Sequence, residues 1–144
     1  MKNTGDEYLD KQQLMDIQVL STLGLTKDDI KALGAQDNIE RAVGAYCIDA
    51  WAGDLVAKAY SITDGMNLLT VTSGRMPESP DECIVDKNLL EKMKISVGDS
   101  ITIDPSDDYE DCLTHKNFTI VGTAVSPYYI SVERGSASIG SGNV

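Results

Sequence analysis

The sequence contains no apolar run near the ~20 residues that a membrane-spanning helix requires. It is also poor in bases: 12 lysines and arginines stand against 23 aspartates and glutamates, a net charge of −11. That balance argues against nucleic acid or an anionic membrane surface as a partner, since both are recognised through basic patches. Histidine occurs once, at His115, and cysteine three times, at Cys47, Cys83 and Cys112. An odd count with no CxxC pair excludes a closed disulfide framework and leaves room for one bridge at most. One histidine with Cys112 as its sole neighbouring ligand cannot build a four-coordinate zinc site. Cys47 and Cys83 lie in apolar, strand-like runs and are expected to be buried small hydrophobes. Cys112 sits among carboxylates, which disfavour its thiolate.

The signatures of bond-making chemistry are missing as well. Ser21, Ser73 and Ser126 lack the glycine elbow of a serine hydrolase. The glycine-rich stretch 135–142 lacks the Gly-Lys-Ser/Thr ending with which a phosphate loop holds its anion. The acidic run of Asp104, Asp107, Asp108, Glu110 and Asp111 has Pro105 after its first acid and no glycine. A calcium loop needs alternating acids around a mid-loop glycine, so this run reads as a solvated connection. No catalytic, cofactor-binding or metal-ligating residue is expected, and the chain is not expected to be an enzyme. A metal-dependent hydrolase acting through the acidic run is the weakest reading.

What remains is architecture. Apolar residues make up 42% and charged residues 24% of the 144-residue chain, the balance of a folded domain. Residues 1–14 are polar and read as an approach linker. Residues 16–21, which alternate over their first four positions, read as a first strand. Thr26 with Asp28 and Asp29 predicts a capped helix ending at about Leu33, with Gly34 as its stop. Two β-rich runs, 40–52 and 55–62, flank Gly53 and Asp54 and predict an antiparallel hairpin. Residues 68–72 read as a third strand or an edge segment. A turn with Pro77 and Pro80 precedes a short strand over 82–85. Asp86 caps a helix over 88–94 with Leu89, Leu90 and Met93 on one face. A turn at Gly98 and Asp99 feeds a strand over 101–103, and the longest strand, 117–125, stops before Pro127.

The expected fold class is mixed α/β (α+β), with a mostly antiparallel or mixed sheet. The expected organisation is a βαββ-type subdomain over 15–72, a connecting turn over 73–81 and a small α/β lobe over 82–130. Residues 131–144 are expected to be a flexible or truncated tail. Tyr128 and Tyr129 after Pro127, and Trp51 beside the hairpin turn, are candidates for an interaction patch. A satellite core cluster explains the same residues equally well.

Several of these motifs, taken in order, resemble a known family. The run Asp16-Ile17-Gln18-Val19-Leu20-Ser21-Thr22-Leu23-Gly24-Leu25-Thr26, followed by Asp29-Ile30, is similar to the segment after the first membrane helix of FtsX-like (MacB-type) ABC transporter permeases. Gly74-Arg75-Met76-Pro77, Glu82-Cys83-Ile84-Val85-Asp86, Val97-Gly98-Asp99, Phe118-Thr119-Ile120-Val121-Gly122 and Ser126-Pro127 resemble that family's extracytoplasmic domain. The likeness spans most of 8–130, and its motifs are all structural. It implies a βαβ-type layer with a small inserted α/β lobe, on the outer side of a bacterial membrane and without a cofactor. It also implies a separate ATPase subunit, a second permease copy, and a substrate or extracellular partner that the motifs do not specify. A free-standing secreted binding module is the alternative.

Overall fold

The computed structural model describes residues 10–21, 23–105 and 113–129. The fold is mixed α+β, with one antiparallel sheet and one mixed sheet. Helix α1 spans Lys27–Gly34, and strands β1 (Cys47–Ala52), β2 (Leu55–Tyr60), β3 (Thr70–Gly74) and β4 (Glu82–Val85) follow. Helix α2 (Lys87–Met93) then precedes β5 (Ser100–Thr102), β6 (Asp104–Pro105) and β7 (Asn117–Val125).

Local chemistry explains where most of these elements begin. The Thr26 hydroxyl accepts the Asp29 N–H at 3.2 Å, and the Asp29 carboxylate accepts the Thr26 N–H at 2.8 Å. This reciprocal capping box satisfies two donors that the first helical turn leaves open. The Asp86 carboxylate caps α2 by accepting the Asn88 N–H at 2.8 Å. The two-residue Gly53-Asp54 turn joins β1 to β2 with Gly53 at φ +61°, a conformation that glycine takes without a Cβ penalty.

The hairpin forms the first sheet together with β6, in the order β2-β1-β6. The second sheet is built on β7, which lies between antiparallel β3 and parallel β4, while β5 pairs antiparallel with its N-terminal end. Each sheet therefore takes strands from both of the expected subdomains. β3 comes from the first half and joins β7; β6 comes from the second half and joins β1. The core crosses between the sheets too. Ala52 and Ala57 of the hairpin pack in one buried cluster with Leu89 and Leu90 of α2, Ile101 of β5 and Ile120 of β7. The boundary expected between 72 and 73 falls inside β3.

Other expectations need correction. Residues 16–21 do not form a strand: Ile17 is 70% and Leu20 80% exposed, so their alternating pattern has no sheet face to cover. The expected βαβ-type layer lacks its first strand for that reason. Gly34 does not end α1 in the left-handed region; it is the last helical residue, and Ala35 caps the helix in a right-handed conformation at φ −89°. The Ala35 N–H bonds back to the Lys31 carbonyl. The first hairpin strand begins only at Cys47, not at 40. Cys47 is exposed and Cys83 half-buried, so neither is the fully buried hydrophobe that their apolar neighbours suggest. Most of the acidic run (106–112, with Cys112) and residues 130–144 lie outside the described residues.

Candidate functional site

The C-terminal end of β7 carries Tyr128 and Tyr129 back onto the hairpin. Val125 is the last strand residue, and Pro127, almost completely buried, anchors the turn that follows. The Tyr128 ring stacks on Tyr60, the last residue of β2, with centroids 5.2 Å apart and planes 21° from parallel. Tyr129 meets the same ring edge-on at 6.4 Å and 71°. Offset stacking and edge contacts are the arrangements that the ring quadrupole favours. The hydroxyls of Tyr60 and Tyr129 share a 2.6 Å hydrogen bond.

Tyr128 has a second partner. The Asn67 side-chain amide donates to its hydroxyl at 2.9 Å. The Asn67 side-chain carbonyl meanwhile accepts the Met15 N–H at 2.9 Å. Because a backbone N–H can only donate, this bond also fixes which end of the amide points each way. Asn67 is 7% exposed and sits at φ +54°, a region that asparagine tolerates better than most residues.

Strand parity decides what else shares this face. Residues 47, 49 and 51 of β1 project to one side, opposite Tyr60, Lys58 and Val56 of β2. Asp49 and Lys58 form a 2.6 Å ion pair there, next to the Cys47–Tyr60 pair. Trp51 shares the face but not the cluster, since four residues of strand separate it from Cys47, roughly 13 Å. It is 37% exposed at the turn end of the hairpin. Of the three expected patch residues, the structure joins Tyr128 and Tyr129 and leaves Trp51 apart.

The electrostatics make this face a hydrogen-bonding surface. Burial pushes the Tyr60 hydroxyl well above its ordinary range, and its bond to Tyr129 adds to the effect. Burial likewise raises Tyr128. Although Cys47 is exposed as a residue, partial desolvation of its thiol at the strand face raises it as well, against an opposing hydrogen bond with Tyr60. Burial disfavours the Lys58 ammonium, but the Asp49 carboxylate outweighs it and the net shift is upward. At neutral pH Tyr60, Tyr128 and the Cys47 thiol therefore keep their protons, and Lys58 keeps its charge. A protonated thiol is a poor nucleophile. The arrangement can stack against flat apolar groups and exchange hydrogen bonds with polar ones.

Tyr60 and Asn67 are not among the residues that the sequence singles out. Tyr60 ends an ordinary alternating strand, and nothing in the spacing ties position 60 to position 128. Asn67 does carry a signal, because asparagine in a turn between two strands is a frequent left-handed residue. A concave feature, open to solvent, lies away from this cluster beside α1 and is lined by Val19, Leu25, Ala32 and Leu33 with Asp29 and Gln36. Among the described residues, no group of three or more histidine, cysteine or acidic side chains is placed to hold a metal ion. No helix among them is long and apolar enough to cross a membrane. Comparison with known proteins finds no matching family model, no matching curated protein and no matching solved structure.

Proposed function

We propose that the chain is a non-catalytic extracytoplasmic domain of an ABC transporter permease, which relays ATP-driven motion and contacts a substrate or partner outside the membrane. The observation that carries this reading is the exchange of strands between the two sheets. β3 and β6 each cross to the sheet built mainly by the other half of the chain, and one apolar cluster underlies both. A force applied at one point of such a body is shared through the core instead of being absorbed at a hinge between lobes. The later motifs of the family resemblance support the same reading, because they fall in order on the end of β3, on β4, on the Gly98 turn and on β7. In the full assembly, a separate ATPase subunit and a second permease copy supply the motion.

A free-standing secreted binding module is the second reading. The half-exposed tyrosine cluster favours it, since tyrosine, apolar in its body and polar at its tip, is common at recognition surfaces. The two readings separate by topology. A tag placed in this region of the full-length parent, tested for access from outside intact cells, should be labelled, with membrane spans on both sides. A parent protein without spans discards the permease reading and makes the tyrosine face the object of a ligand screen.

A further inference from the structure

Three stretches of chain meet at one side chain. The segment around 12–15 reaches the turn before β3 through two backbone bonds, Asn67 N–H to the Gln13 carbonyl at 2.9 Å and Leu68 N–H to the Gln12 carbonyl at 2.8 Å. The Asn67 amide then adds the bond from Met15 on one side and the bond to Tyr128 on the other. Tyr128 is itself stacked on Tyr60 of the hairpin and follows directly from the β7 strand end. Met15 and Tyr128 are 113 residues apart in sequence, and the Asn67 amide stands between them.

We propose that Asn67 is a positioning residue that couples the chain entering at 12–15 to the chain leaving β7 at 127–129, so that loosening one loosens the other. Three features make the amide suited to this. It is nearly buried, so water is a poor substitute for either partner. Its two ends bond in opposite senses, so rotating to suit one partner breaks the bond to the other. Its backbone is held at positive φ by the bonds to Gln12 and Gln13, which fixes where the side chain starts. The purpose of the coupling rests on the relay reading, in which motion must pass between the incoming and outgoing segments. The coupling itself rests on the hydrogen bonds alone.

The test uses Tyr128→Phe and amide hydrogen exchange on the purified chain. This substitution keeps the stacked ring and removes only the hydroxyl that Asn67 engages, so the fold should survive. Met15 has no hydrogen bond to Tyr128; if Asn67 couples the segments, Met15 N–H exchange should still accelerate by about two- to tenfold, the scale of one weakened hydrogen bond. The Ile120 amide in the middle of β7 should be unchanged. Asn67→Gly, which keeps the backbone conformation and removes the amide, should raise Met15 exchange at least as much, and adding Tyr128→Phe to it should give no further increase. An unchanged Met15 rate in Tyr128→Phe overturns the coupling, and so does a rise shared equally by Ile120. Because the measurement needs no membrane and no partner, its failure would leave the topology experiment untouched, and the converse holds as well.

Discussion

Gly74 and Gly122 face each other across β3 and β7 at a point where neither can carry a side chain. They are register partners beside an irregularity in the pairing, and Gly74 has φ +73°. A Cβ at Gly74 would stand 2.7 Å from the Gly122 Cα, and one at Gly122 would stand 2.6 Å from the Arg75 carbonyl oxygen. Both obstacles are backbone, so no side chain can move aside. The close approach lets Arg75 N–H reach the Val121 carbonyl at 3.1 Å and sends the chain on toward β4.

Gly122→Ala and Gly74→Ala should therefore each destabilise the chain by about 2–4 kcal/mol, in the upper range for single substitutions. Gly98→Ala provides the contrast. Gly98 has φ +103° but open space where a Cβ would stand, so only conformational strain of about 1–2 kcal/mol is expected. Urea denaturation should show larger losses for Gly74→Ala and Gly122→Ala than for Gly98→Ala. Equal losses at all three would show that steric contact at the β3–β7 crossing has no special cost.

The Arg75 side chain makes a second link across the same turn. Its guanidinium donates to both Glu82 oxygens, at 2.7 and 2.5 Å, and the Glu78 N–H adds a third bond at 2.9 Å. The bonds from Arg75, then the one from Glu78, hold the Glu82 carboxyl down at about 2 against an ordinary value of 4.5. The folded-state value is depressed, so the stabilisation is fully present above about 4.5 and is lost as pH falls toward 2. Melting temperatures of the wild type and Glu82→Gln should differ at pH 7 and converge by pH 2. A difference independent of pH would remove Glu82 as the group responsible.

Much of this was legible in the sequence wherever local chemistry decides structure. Thr26 with Asp29, Asp86 with its following N–H, Gly53-Asp54, and the β-branched and aromatic residues of β7 each specify an element from a few neighbouring residues. The failures share a different cause. The 16–21 segment begins with the alternation of a strand, but among the described residues no strand pairs with it, and pairing partners are not written locally. The acidic run reads as a solvated connection, yet its first two residues, Asp104 and Pro105, form β6 and close the first sheet against Trp51 and Ala50, as a proline can at an edge. The aromatic site was half legible. Tyr128 and Tyr129 stand out beside a proline, whereas Tyr60 and Asn67 join them only through the fold.

Helix α2 ends in a conformation that its sequence resists. Lys94 takes φ +57°, and its N–H closes on the Leu90 carbonyl. Left-handed residues at helix ends are usually glycine, because a Cβ there is strained by about 1–2 kcal/mol. Lys94→Gly should relieve that strain while adding some flexibility to the unfolded chain, for a net gain of about 0.5–1 kcal/mol. A thermal melt shifted upward by a few degrees is the expected result. A downward shift would mean that the Lys94 side chain contributes more than its backbone costs.

The Asp49–Lys58 pair should show unequal consequences when broken from its two sides. Asp49 exposes 8% of its side chain and Lys58 22%, so the carboxylate depends more on its partner for solvation. Lys58→Met keeps the aliphatic stem but leaves Asp49 charged and deprived of that partner, at a cost of about 2–3 kcal/mol. Asp49→Asn keeps a hydrogen-bond acceptor beside a lysine that can extend its ammonium into water, and should cost about 1 kcal/mol. Combining Lys58→Met with Asp49→Asn should recover part of the larger loss, since the carboxylate that lost its lysine is then neutral. Urea midpoints of the two single variants and the double variant form a complete cycle. If the double variant instead loses the sum of both single effects, the two side chains act independently, and the carboxylate on the tyrosine-bearing face is held by its other surroundings.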